Sequence, residues 1–129
     1  MTALVDRLAA ALAEVLAVDA EPDGALTVAH DGTLASLRVV PIAEGLELVS
    51  LTQILAWGLP LTKKLRKRAA EQADLSQLGT LTLLEKDTES ADVMLRYNFP
   101  GSGLTDDALC TMVLLVLTKG VDIRGILTA

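Results

Sequence analysis

The dipeptide Asp31-Gly32 constrains this chain more than any other feature. It separates two runs rich in aliphatic and β-branched residues, 25–30 and 33–40. Asp-Gly suits the two-residue type I′ hairpin turn, whose central residues both need positive φ. A turn of that kind fixes the pairing, so that His30 faces Thr33, Val28 faces Ala35 and Leu26 faces Leu37. Side chains alternate along a strand, and this register therefore gathers Leu26, Val28, Ala35, Leu37 and Val39 on one face, expected to meet a core. The other face carries Thr27, Ser36 and Arg38 among Ala29, Leu34 and Val40. Pro41 marks a bulge, an edge or the end of the strand. Glu44-Gly45 turns the chain into a third strand over 46–51 or beyond, completing an antiparallel meander. Residues 52–58 fit either an extension of that strand or a helix capped by Thr52.

The rest of the chain supplies a second hairpin and three helices. Strands are expected at 80–85 and 91–99, joined by a polar loop, with Val93, Leu95, Tyr97 and Phe99 opposite Met94, Arg96 and Asn98. In residues 3–17, Leu4, Val5, Leu8, Leu12, Val15 and Leu16 recur at spacings of three and four, the pattern of an amphipathic helix, with Thr2 as its N-cap. Asp19, Glu21, Pro22, Asp23 and Gly24 end it in an acidic loop. Residues 62–73 form a second helix capped by Thr62. A third starts at Thr105, with Asp106 and Asp107 suited to a helix N-terminus and Leu104 and Leu109 spaced as a hydrophobic staple. Gly120 is expected to end it, leaving 121–129 as a tail. The order is α-β-β-β-α-β-β-α: an α+β fold, a five-stranded antiparallel sheet with helices packed on it, in one domain over 1–129.

Composition narrows the classes of function. A chain of 129 residues supports one domain with a single core. With 51% hydrophobic residues and one each of Phe, Trp and Tyr, that core is aliphatic. A net charge of −6 and a pI of about 4.6 disfavour nucleic acid or an anionic membrane as partner of the whole surface. The single cysteine, Cys110, leaves no internal disulfide and reads as a small buried hydrophobe. Asp6 and Arg7 interrupt any signal-peptide core, and the apolar runs fall short of the roughly 20 residues that span a bilayer. A cytoplasmic protein without a membrane partner is expected.

No constellation calls for catalysis. His30 stands alone beside a hairpin tip, without a second histidine or a cysteine neighbour, and makes a poor metal site. Asp106-Asp107 and the Glu85/Asp87/Glu89 group fit helix-start charges and a solvated loop. No catalytic residue, cofactor or metal is expected, and the chain reads as non-enzymatic. Two features are left. Lys63, Lys64, Arg66, Lys67 and Arg68 supply five of the chain's 11 cations, set against a helix macrodipole. They fit a solvated face that the acidic 19–23 loop of a second copy could meet, a dock for an acidic protein, or a nucleic-acid contact without aromatic neighbours for base stacking. The stretch Met112-Val113-Leu114-Leu115-Val116-Leu117 is apolar all round. Leu109, Met112, Val113 and Val116 form a stripe for the sheet, which leaves Leu114, Leu115 and Leu117 as a candidate interface for a homodimer or a peptide.

The strings Gly79-Thr80-Leu81-Thr82-Leu83, Met94-Leu95-Arg96-Tyr97-Asn98-Phe99-Pro100 and Leu104-Thr105-Asp106-Asp107-Ala108-Leu109 resemble the type III secretion chaperone-like fold, and within it the YbjN-like domains. The whole chain follows that fold's order of helix, meander, helix, hairpin and helix. The resemblance implies a non-enzymatic protein, often dimeric, that binds an extended peptide or another protein across apolar patches on helix and sheet. YbjN-like relatives carry proposed roles in stress and regulation. The alternative expectation is a regulatory nucleic-acid binder acting through Lys63, Lys64, Arg66, Lys67 and Arg68.

Overall fold

The computed structural model describes residues 3–129. Among these, the order is α1 (Leu4–Ala13), β1 (Val18–Ala20), β2 (Leu26–His30), β3 (Thr33–Ala43), β4 (Leu46–Pro60), α2 (Lys63–Leu75), β5 (Thr80–Glu85), β6 (Ser90–Pro100) and α3 (Asp106–Leu127). The strands form one six-stranded sheet, β1-β2-β3-β4-β6-β5, with every neighbouring pair antiparallel. The helices cover one face.

The first hairpin forms as its turn dictates. Asp31 and Gly32 have φ of 44° and 81°, and the register joins His30 to Thr33, Val28 to Ala35 and Leu26 to Leu37. Leu26, Val28, Ala35 and Leu37 are buried and Val39 half-buried, as the alternation requires. Residues 52–58 are strand: β4 runs to Pro60, paired to β3 and β6 as far as Ile54 and to β6 alone beyond it. Its core-facing Val49, Leu51, Gln53 and Leu55 are fully buried.

Three expectations are corrected. The sheet has six strands, not five. The extra one, β1, is three residues long at an edge, with only Val18 half-buried, so no alternation betrays it. The first helix stops at Ala13, short of residue 17; the chain turns there to bring Val18 opposite Val28, leaving Val15 exposed. Its expected cap, Thr2, lies outside the described residues. Gly120 does not end α3, which continues through the expected tail to Leu127.

Gly120 is there for a crossing. A Cβ on it would lie 2.0 Å from Gln53 Oε1. Gln53 in turn donates from Nε2 to Thr33 Oγ1 (2.9 Å) and to the Leu117 carbonyl (3.1 Å), while Thr33 donates to the His30 carbonyl. One buried amide thus ties β4, the first hairpin and α3 together. At the other end of α3, Thr105 caps the helix by accepting from the Ala108 N–H, and Arg7 of α1 donates to Asp106 and to the Leu104 carbonyl.

The far end of β4 carries an irregular pairing with β6 between Ile54 and Leu59. Asp92 pins it, accepting from the Gly58 N–H at 2.9 Å, with Lys86 Nζ 3.1 Å from its other oxygen. The Gly58 N–H first, and Lys86 after it, hold the Asp92 carboxyl below its ordinary 3.8 against the opposing effect of burial. The native value being the lower one, Asp92 adds stability that is fully present above its unfolded pKa. That stability is lost as pH falls through the native value. Asp92→Asn is therefore expected to flatten the acid limb of the urea midpoint, below about pH 4. Superimposable acid limbs in the two proteins would remove Asp92 from this role.

Candidate functional site

Helix α2 packs through Leu65 and Ala69, and Thr62 caps it by accepting from the Leu65 N–H at 3.0 Å. Its expected basic patch is only partly free. Arg66 pairs with Glu85 of β5 at 2.6 Å. Arg68 donates to the carbonyls of Ile126 (3.0 Å) and Ala129 (2.8 Å), where α3 has run out of its own donors. Lys63, Lys64 and Lys67 stay exposed and have no acidic partner among the described residues. Asp23, in the acidic loop that a second copy was to offer them, is engaged within the chain. It accepts from Arg38 at 2.6 Å and from the Ala25 N–H, and these bonds lower its pKa, Arg38 contributing most.

Helix α3 buries a wider face than the expected stripe. Leu109, Val113, Val116, Leu117, Gly120, Ile123 and Leu127 all turn inward, at the three-four spacing of a helix covered along one side. Leu117 therefore belongs to the core and has no surface to offer. Leu114 is half-buried, and Leu115 is 51% exposed. The candidate interface of α3 shrinks to these two.

The structure adds what the sequence did not single out. Tyr97 and Phe99 stand two residues apart on the helix-facing side of β6, their rings stacked with centroids 5.9 Å apart. With Leu104, Ala108, Thr111 and Met112 they line a concavity of about 660 Å³ between β6 and the first half of α3. Beyond Thr111 a second hollow of about 420 Å³ continues along the helix, lined by Leu78, Leu114, Leu115 and Thr118, with Lys119 and Asp122 at its margin. The two share Thr111 and together form a largely apolar groove that follows α3 from Asp107 to Asp122, about four helical turns. The chain's only Tyr and Phe at i, i+2 were the one signal pointing to it.

The remaining candidates are quiet. The Cys110 thiol is pushed up by burial first, then by the carboxylates of Asp107 and Glu14, which suppresses thiolate chemistry. His30 lies 3.8 Å from Asp31. Among the described residues no three potential ligands converge on a metal position, and no helix is long and apolar enough to cross a membrane.

A six-stranded antiparallel sheet under three helices, with an apolar groove beside the last of them, is an α+β architecture. No family model matches the chain, and no curated protein does. Among solved structures it is similar to YbjN from E. coli, described as a candidate transcription regulator, with a TM-score of 0.65 and 14% identity. The match covers 96% of this chain and 92% of that one. The fold is YbjN-like.

Proposed function

We propose that this domain is a non-enzymatic protein-binding module that self-associates through the groove along α3. The observation that carries this reading is the form of the groove. Met112 and Phe99 line its first hollow, and Leu115, one turn further along the same helix and half-exposed, lines the second. An exposed apolar surface of this extent along one helix is covered when the same face of a second copy packs on it across a two-fold axis. An extended peptide of another protein, alternating apolar and polar, fits the same groove and would compete with the second copy. A chaperone-like or regulatory role follows from whichever partner displaces it. Leu115→Glu places a charge in the contact without disturbing the core. It is expected to abolish association, with the folded spectrum retained. A folded Leu115→Glu variant that still associates would refute the groove as the interface.

A second reading is favoured by Lys63, Lys64 and Lys67, which share the outer side of α2 unpaired among the described residues, and by the regulator description of the fold neighbour. It makes the domain a nucleic-acid binder. Three free lysines predict retention on heparin that falls with a salt slope near 2–3 and disappears in the triple alanine variant. Retention without salt dependence removes this reading.

A further inference from the structure

The sheet face turned away from the helices carries a second, chemically opposite concavity. The register lines its residues up in rows. Leu34, Ile54 and Met94 form an apolar row, and beside it Thr27, Ser36, Thr52, Arg96 and Thr80 form a row of hydroxyls interrupted by one guanidinium. Arg38, Ser50 and Asn98 follow in the next row, with Arg38 taken up by Asp23. Toward the β5 edge these rows border an open hollow of about 700 Å³ lined by the exposed Thr80, Arg96 and Asn98 and the half-buried Ser50, Thr52 and Thr82. None of these six side chains hydrogen-bonds or ion-pairs with another group among the described residues. Gly79 keeps one corner bare, since a Cβ there would lie 2.9 Å from the Arg96 carbonyl.

The geometry points to a binding site for a small molecule bearing a phosphate or carboxylate. Arg96 presents a planar fork of donors matched to either oxyanion. The hydroxyls of Ser50, Thr52, Thr80 and Thr82, with the Asn98 amide, surround it with groups able to bond both the anion and a hydroxylated body. The hollow is of the size that small-molecule sites have. One unpaired cation lining the hollow, in a chain of net charge −6, argues against a polynucleotide, whose backbone needs several contacts along its track. The site lies on the face opposite the α3 groove and stands independently of the function proposed for it.

Amide spectra of the full chain, titrated at constant ionic strength with inorganic phosphate, ribose 5-phosphate and citrate, test this. Saturable shifts at Thr52, Thr80, Thr82 and Arg96 are expected with at least one probe. Phosphate as the best probe means a free anion, ribose 5-phosphate a phosphorylated metabolite, and citrate a carboxylate. Arg96→Gln is expected to weaken that probe about ten-fold while leaving the rest of the spectrum in place. The site is overturned if no probe saturates, if the shifts centre on Lys63, Lys64 and Lys67, or if they survive Arg96→Gln. Binding of a single-stranded oligonucleotide alone would overturn it as well.

Discussion

Gly120→Ala destabilises the domain by about 3 kcal/mol in urea denaturation, although the same change in an open mid-helix site stabilises by about 1 kcal/mol. The sign follows from one distance. The added methyl would stand 2.0 Å from Gln53 Oε1, 2.5 Å from its Cδ and 2.7 Å from its Nε2, and so cannot be placed unless α3 lifts or the amide swings away. If the helix lifts, the aliphatic contacts of Val116, Leu117 and Ile123 with the sheet loosen. If the amide swings, the bonds to Thr33 and Leu117 break and a buried donor is left unpaired, a cost of about 1–3 kcal/mol. Gly125 supplies the control. It lies in the same helix, and a Cβ added there would meet nothing within 4 Å, so Gly125→Ala is expected to raise stability. Opposite signs at positions five residues apart are the expected result; two stabilising substitutions would mean that α3 does not cross Gln53 as described.

Leu117→Ala is the second large effect, a loss of about 3–4 kcal/mol from a fully enclosed leucine. Leu115→Ala, two residues earlier and 51% exposed, is expected to stay within about 0.5 kcal/mol of the parent. Thermal unfolding of the pair separates core from surface on α3. Comparable losses at both positions would place Leu115 in the core and remove it from the proposed interface.

What was legible in the sequence was local. Asp31-Gly32 announces a turn whose backbone geometry sets the pairing of the residues on either side, so the first hairpin could be placed residue by residue. Thr62 and Thr105 cap as side chains three residues from the N–H they accept, and nothing remote intervenes. What was not legible depends on groups far apart along the chain. Gly120 has the look of a helix end, but its reason is Gln53 on another strand. Arg68 looks like one more cation in a run until α3 brings its last carbonyls beside α2. The run Leu114-Leu115-Val116-Leu117 has no polar residue to show which side faces out, and only the sheet's position decides that Leu117 is core. The groove joins Phe99 to Met112 across a turn and a helix start, and β1 is too short to carry a periodicity of its own.

Self-association through the α3 groove is tested most directly by the light-scattering mass of the purified chain beside its Leu115→Glu variant. The proposal predicts twice the 13.6 kDa chain mass for the parent and the single mass for a folded variant. A parent at the single mass over the whole concentration range, with no binding of an exposed-hydrophobe dye, would contradict it.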